Sequence, residues 1–197
     1  MVYRKTEKVK ATLEARRDLI VASTIDVIAK SGECETRVIA ARAGISEGGL
    51  YHFFADKTEL LAAVTFEITQ SDLEAMRAVS HENPLYSLPA AIVAFYGRLS
   101  SAHLARFRFA SRAHYVATVA HLAGLIRAID PGLAPKACQQ AASATLGAIY
   151  ALHALGDGAR NDARAAVLFA LRAIGLSEAR IVRTMDRGWG TLWRVEA

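Results

Sequence analysis

The stretch IAARAGISEGGLYHFFADKTELL, residues 39–61, decides the fold. It reads as two short helices meeting at a tight turn, followed at once by a long third. Ile39, Ala40 and Ala43 put small and apolar groups on one side of the first helix. Gly44 ends it by supplying the left-handed or close-packed position that a residue without a Cβ enters cheaply. Ser46 is a good N-cap, because its hydroxyl accepts from an otherwise orphaned amide of the next helix. That helix is expected over residues 47–54, with Leu50 and Phe54 facing inward together at i, i+4. Its other face shows Glu47, Gly48, Tyr51 and His52. Asp56 caps the third helix with Glu59 three residues on, the pattern of a capping box. A helix, a Gly-containing turn and a second helix with polar groups at its N-terminal end is the geometry that enters a DNA major groove.

Outside this stretch the chain of 197 residues also reads as helices. Abundant alanine favours them, and no segments alternate as strands do. A first helix is expected over about residues 15–31, with Ile20, Thr24, Val27 and Ile28 on its buried side and Gly32 as its stop. A long fourth helix is expected over about 57–79, and the Asn83-Pro84 and Leu88-Pro89 breaks start a fifth that continues to about 101. An arginine- and aromatic-rich segment at 107–115 leads into an apolar helix ending at about 129, before the turn Asp130-Pro131-Gly132. Two alanine-dense helices at about 135–155 and 162–174 are joined by GDGARND, and a last helix runs from Ser177 to about 194. The fold class expected is all-α, a three-helix head joined by the long fourth helix to a helical body. The domain reading is a basic arm at 1–14, a helix-turn-helix domain at 15–56, and a regulatory and dimerising domain at 57–197.

Charge and composition narrow the function classes. The net charge of +5 is unevenly placed. Residues 1–17 hold six basic and two acidic side chains, whereas residues 18–57 hold four basic and six acidic ones. The helix-turn-helix is therefore no basic patch, and attraction to a polyanion leans on the arm and a few well-aimed cations. The arm is also readable as a disordered, solvated tail. The start MVYRKTEKVK lacks the apolar core of a signal peptide, and no apolar run reaches the roughly 20 residues that span a bilayer. A cytoplasmic protein is expected, with Cys34 and Cys138 as ordinary reduced thiols.

From about residue 17 to residue 64 the sequence resembles the TetR family of tetracycline-repressor-type transcriptional regulators. The resemblance rests on Arg17, the apolar helix at 19–29, Gly32, Ile39-Ala40, Ala43-Gly44-Ile45-Ser46, Gly48, Leu50-Tyr51, Phe54 and Lys57. As an ordered set at these spacings it is specific, while the remaining ~130 residues carry no recognisable motif. It implies a DNA-facing set of Thr36, Arg37, Ser46, Glu47, Gly48, Gly49, Tyr51, His52 and Lys57. Thr36 falls where phosphate is often contacted, and Arg37 where a base-reading arginine occurs. Arginine there can bond O6 and N7 of one guanine, worth about 1–3 kcal/mol of discrimination. It is also readable as an exposed residue paired with Glu33 or Glu35. Lysine at 57 is the wrong charge for a helix N-terminus, which makes sense if a phosphate completes the site.

The departures from the family pattern are Glu47 where lysine is common, Gly49 for a small hydroxyl residue, and Phe53 for His or Tyr. The span from Gly32 to Ile39 is also about two residues short, so the start of the second helix is open. Glu47 reads either as an acceptor for a cytosine amino group or as a favourable charge at the helix start. These leave few side chains for direct readout, so modest specificity per half-site is expected.

The resemblance further implies a homodimer on a palindromic double-stranded operator, released by a small-molecule effector that moves the fourth helix. The helices at about 135–155 and 162–174 are the candidate dimer face, and are also readable as core. Tyr96, His103, Phe107, Tyr115, His121, Tyr150 and His153 are the candidate lining of an effector cavity. Arg106, Arg108 and Arg112 suit an acidic ligand, but at this spacing they read rather as a solvated helix face. No catalytic set, cofactor or metal is expected: the six histidines form no HExxH or ligand cluster, and GxSxG, Walker and GxGxxG elements are missing. The alternative function is a helical small-molecule or partner-binding protein with lost or weak DNA binding.

Overall fold

Ten α-helices and no strand make up the described residues 7–99, 101–155 and 159–192 of the computed structural model. They are α1 (Glu7–Ser31), α2 (Thr36–Arg42), α3 (Glu47–Leu50), α4 (Lys57–Ala78) and α5 (Pro84–Gly97), then α6 (Ala102–Ala110), α7 (Arg112–Ile129), α8 (Pro135–Leu155), α9 (Ala159–Ala173) and α10 (Glu178–Leu192). Described residues up to Glu67 form one compact unit and those from Ile68 a second, so the boundary falls inside α4. Arg4 and Lys5 of the arm, residues 156–158 of the GDGARND loop and the last turn expected at 193–194 lie outside the described residues.

The first unit is built on the pattern read in the sequence. Ile20, Thr24, Val27 and Ile28 of α1 are all buried, and Thr24 donates its hydroxyl to the Ile20 carbonyl at 2.8 Å. Ile39, Ala40 and Ala43, with Leu50, Phe54, Leu60 and Val64, complete this core. Burial of each large apolar side chain contributes up to about 1.5–3 kcal/mol. Gly44 takes φ +66°, and the Gly44 and Ile45 amides bond back to the Ala41 and Ala40 carbonyls, a Schellman closure of α2. Ser46 Oγ accepts from the Gly49 amide at 3.0 Å and starts α3. Asp56 Oδ1 accepts from the Glu59 amide at 2.8 Å, while Glu59 Oε2 accepts from the Ala55 amide at 2.7 Å. The capping box thus forms one residue out of the usual reciprocal register.

Several boundaries differ from expectation: α5 ends at Gly97 rather than near 101, α9 starts at Ala159 rather than 162, and the two largest differences are at α1 and α3. α1 begins at Glu7 rather than near residue 15. EKVKATLEARR is made almost wholly of good helix formers, and Lys10 bonds Glu7 at 2.9 Å. α3 is helical only to Leu50, and residues 51–53 continue as turns closed by His52–Gly49 and Phe53–Leu50 amide bonds. Gly48 and Gly49 occupy half of its four positions, and glycine costs about 1 kcal/mol per helical residue.

In the second unit α5 is the central helix, buried over residues 87–93 and at Phe95 and Tyr96. α7 packs on α8, α8 on α9, and α5 on both α7 and α9. Leu88, Ile92, Leu122, Ile126, Leu146, Ile149, Val167 and Leu171 form the shared interior with Leu73 and Met76 of α4. α10 closes one side through Ile181 and Met185. The aromatic and arginine segment divides at Ser111, which caps α7 by accepting from the His114 amide at 3.3 Å.

Candidate nucleic-acid interface and body cavity

Two arginines of α1 position the turn and α3. Arg16 Nη2 donates to the Gly44 carbonyl at 3.2 Å, holding the turn between α2 and α3. Arg17 Nη1 donates to the Phe53 carbonyl at 2.8 Å and Nη2 to Glu59 Oε1 at 3.1 Å. Its guanidinium also lies 4.2 Å from the centroid of the Phe54 ring. One side chain thus ties the turns after α3 to the start of α4. The sequence marks Arg17 only as part of a pattern, since carbonyl partners 36 residues away leave no local signal.

Thr36, Arg37, Glu47, Tyr51 and Lys57 line one shallow open depression with Cys34 and Glu35. Tyr51 is 48% exposed, and Arg37, His52 and Lys57 are also exposed. Among the described residues no ion pair joins Arg37 to Glu33 or Glu35, whereas Arg42 pairs with Asp26 at 2.7 Å. Thr36 Oγ1 donates to Glu47 Oε1, so the Glu47 departure is engaged by the first residue of α2. A Cβ at Gly48 would meet nothing within 4 Å, while one at Gly49 would lie 3.1 Å from Ser46 Oγ. Burial pushes the Cys34 thiol up against the opposing pull of Lys57, so it is a poor nucleophile.

Phosphate oxygens accept from lysine, tyrosine hydroxyl and exposed backbone amides, and base edges are read by arginine. The depression brings those donor types together on one surface. No group of three or more His, Cys, Asp or Glu among the described residues is placed to hold a metal ion. No described helix is long and apolar enough to cross a membrane.

The body holds a cavity of about 480 Å³ between α6 and α8, walled by Ala102, Ala105, Phe109, Gly147 and Ala151, with Arg106, Tyr150 and His153 as its polar groups. Of the seven candidate side chains, Tyr150 and His153 line it. Tyr96 stands behind His153, ring centroids 5.8 Å apart, and its hydroxyl donates to Asp162 Oδ2 at 3.0 Å. Burial, then the Asp162 carboxylate, pushes the Tyr96 phenol well up. Tyr115 hydrogen-bonds Ser143, and His121 is half-buried, with burial and Arg77 lowering its proton affinity. His103 and Phe107 are half-buried on α6 and do not line this cavity.

Behind Tyr150 lies an ionic cluster that the sequence reading missed. Asp72 of α4 is fully buried, and its Oδ1 accepts from Arg98 Nε at 2.6 Å and Arg108 Nη2 at 3.0 Å. Its Oδ2 accepts from Arg108 Nε at 2.7 Å and lies 3.0 Å from His114 Nε2. Burial alone would raise the carboxyl's proton affinity, but the bonds from His114 and Arg108 and the charge of Arg108 outweigh it, holding it well below the usual carboxylate range. Arg108 is 4% exposed, which corrects the solvated-face reading for that residue, while Arg106 and Arg112 are exposed. The signal was the register: Asp72 sits midway between Ile68 and Met76, four residues from each, on the buried stripe of α4.

On the other side of α8, an apolar groove with α9 presents Leu152, Leu155, Leu168 and Phe169. Leu155 is 88% exposed and Phe169 is also exposed.

The family model described as "Bacterial regulatory proteins, tetR family" matches residues 20–64. No curated protein shows a significant sequence match to the chain. Among solved structures, the chain is similar to RolR in complex with the ligand resorcinol at 20% identity and a TM-score of 0.65, over 90% of this chain and 96% of that one. It is similar to a TetR-like transcriptional regulator from Rhodococcus sp. RHA1 at 22% identity and a TM-score of 0.62, over 88% and 100% of the two chains. It is also similar to SmeT, the repressor of the Stenotrophomonas maltophilia multidrug efflux pump SmeDEF, at 20% identity and a TM-score of 0.61, over 80% and 89%. The capped helix-turn-helix thus lies within the segment that matches the tetR-family model, and the chain shares the fold of these TetR-like structures.

Proposed function

We propose that this DNA-binding transcriptional regulator works as a homodimeric repressor at a palindromic operator and is released by a small molecule held in its body. The observation that carries the DNA reading is the surface at α3. The Ser46 cap and the Arg16 and Arg17 ties fix the segment rigidly, leaving Tyr51, Arg37 and Lys57 free to meet a duplex. In this reading Tyr51 and Lys57 meet phosphates and Arg37 reads a base edge. The Thr36–Glu47 bond engages the Glu47 carboxylate that would otherwise accept from a cytosine, which shifts base reading further onto Arg37.

The groove between α8 and α9, with Leu155 and Phe169 exposed, supports pairing through these helices. A two-fold pair places two identical heads on the half-sites of a palindrome, about 34–36 Å apart along the duplex. SmeT, itself described as a repressor, favours the same sign of control, since a dimer with no activating element acts most simply by occluding a promoter. The cavity between α6 and α8 supports ligand control, and RolR was solved with a monocyclic aromatic ligand. Asp72, the residue that ties α4 to the body cluster, sits on the same continuous helix as Lys57.

Footprinting on the DNA that flanks the gene tests the reading. The expected result is one protected palindrome, with sedimentation showing two protomers bound. Protection spread evenly along the fragment, or a monomer bound to a single half-site, would contradict it and favour a binding protein that does not regulate through an operator.

A further inference from the structure

The cavity between α6 and α8 carries its own statement about what it holds. Its walls are alanine, glycine and the Phe109 ring, and among the described lining residues the charged side chain is cationic, Arg106. Tyr150 stands between the cavity and the ionic cluster behind it. Its ring meets Phe109 edge-on at 5.3 Å and Phe95 at 6.1 Å, and the charges of Arg108 and Asp72 both act on its hydroxyl. Tyr150 is 8% exposed, and its Oη is buried without a hydrogen-bond partner. Arg108 Nη1 is in the same condition, as is His114 Nδ1.

The geometry at Arg108 explains why one nitrogen is left over. A guanidinium offers five N–H groups in a planar fork. Asp72 takes the side edge, Nε and Nη2, and leaves Nη1 unused. The cluster also carries more positive than negative charge: Arg98 and Arg108 face the single carboxylate of Asp72, before any proton on His114 is counted. A buried cation with a spare donor, a buried phenol with no partner and an apolar cavity beside them call for one complement, an anion on a compact apolar body.

We propose that this cavity takes an organic monocarboxylate with a small aromatic or branched body, its carboxylate received by Tyr150 Oη and Arg108 Nη1. The body fills the space beside Phe109, and a volume of about 480 Å³ suits a single ring rather than a polycyclic drug. Arg106 at the exposed lining draws the anion in. The incoming carboxylate then shares Arg108 with Asp72 of α4, which makes the cluster the element that senses occupancy. A cation meets Arg106 and no carboxylate among the described lining residues, and neutral isosteres lose the charge-assisted bonds.

This deepens the ligand-released reading and rests on it for its regulatory meaning, though not for binding itself. Calorimetric titration of the full chain without DNA separates the two. Benzoate and 3-phenylpropanoate are compared with their primary amides, which match them in shape but carry no charge. The carboxylates are expected to bind roughly 10–100-fold more tightly than the amides, the ratio that charge-assisted hydrogen bonds supply. Tyr150→Phe removes an oxygen that holds nothing in the protein, so the fold stays intact. It is expected to weaken the carboxylates about tenfold while leaving the amides unchanged. Amides binding as well as acids, or no carboxylate binding up to roughly 1 mM, overturns the proposal. A parallel DNA-binding titration reads the other claim: carboxylate bound with no loss of DNA affinity supports the site and sinks release, and a chain that never binds DNA sinks the regulator reading alone.

Discussion

Replacing Asp72 by asparagine probes the body cluster most sharply. The side chain has no solvent exposure and receives bonds from Arg98 Nε at 2.6 Å, Arg108 Nε at 2.7 Å and Arg108 Nη2 at 3.0 Å, with His114 Nε2 at 3.0 Å. Asparagine keeps the shape but removes the charge and turns one acceptor atom into a donor, which then faces an N–H of Arg108 or Arg98. Arg108, 4% exposed, is left a buried cation with no anion. Removing one partner of such a pair costs about 3–5 kcal/mol. Arg98→Gln is the internal control, because 37% of that side chain is exposed and solvent screens its charge. Its cost is expected at about 1 kcal/mol. Urea unfolding followed by far-UV circular dichroism reads both, by linear extrapolation. A loss below about 1 kcal/mol for Asp72→Asn, or one no larger than for Arg98→Gln, refutes the reasoning.

The same residue sets a sign for pH. The folded carboxyl is held below its ordinary value of 3.8, burial opposing this but bonds from His114 and Arg108 prevailing. The stability it contributes is therefore fully present above pH 3.8 and is lost as pH falls through the lower folded value. The wild-type chain is expected to lose this contribution only in strong acid, and Asp72→Asn to lack that limb of the curve.

At Gly44, alanine is expected to cost about 1–2 kcal/mol from backbone strain alone, since φ is +66° and a Cβ would meet nothing within 4 Å; thermal unfolding of the first unit measures it, and an unchanged midpoint removes the left-handed requirement. Tyr51→Phe with Lys57→Ala is expected to weaken binding to every duplex and flatten the salt slope by about 1 per protomer, about 2 for the bound dimer. Arg37→Ala should instead relax preference at one base pair by about 1–3 kcal/mol, and a base preference that survives in a binding-site selection rules out its assigned role. Phe169→Glu places a charge on the α8–α9 groove and is expected to shift sedimentation towards the monomer, whereas a persistent dimer moves the interface elsewhere.

Local chemistry explains what was legible in the sequence. Ser46, Gly44, Asp56 and Glu59 act within four residues of themselves, so their spacing encodes the geometry, and the caps form as read except that Glu59 reaches back to Ala55 rather than Asp56. α8 begins as expected because Pro135 opens it with a fixed φ. The start of α1 is poorly marked because charged residues favour helix and disorder alike, and only the continuous run of helix formers from Glu7 argues for the former. α3 was drawn too long because Leu50 and Phe54 do face inward together, which turns accomplish here as well as a helix would. The Asp72 cluster was hidden for a different reason. Its members come from α4, the C-cap of α5, α6 and α7, with partners 26 to 42 residues away from Asp72 along the chain, and a lone Arg108 among Arg106 and Arg112 gives no sign of which one turns inward.

The central claim is that α3 and the turn before it present Tyr51, Arg37 and Lys57 to a duplex. Fluorescence anisotropy of a labelled fragment from beside the gene, titrated across salt, tests it directly. Two heads meeting 6–10 phosphates predict an affinity loss of about 10³-fold or more between roughly 50 and 200 mM salt, with unrelated DNA bound far more weakly. A shallow salt response, or equal affinity for unrelated DNA, would contradict the account.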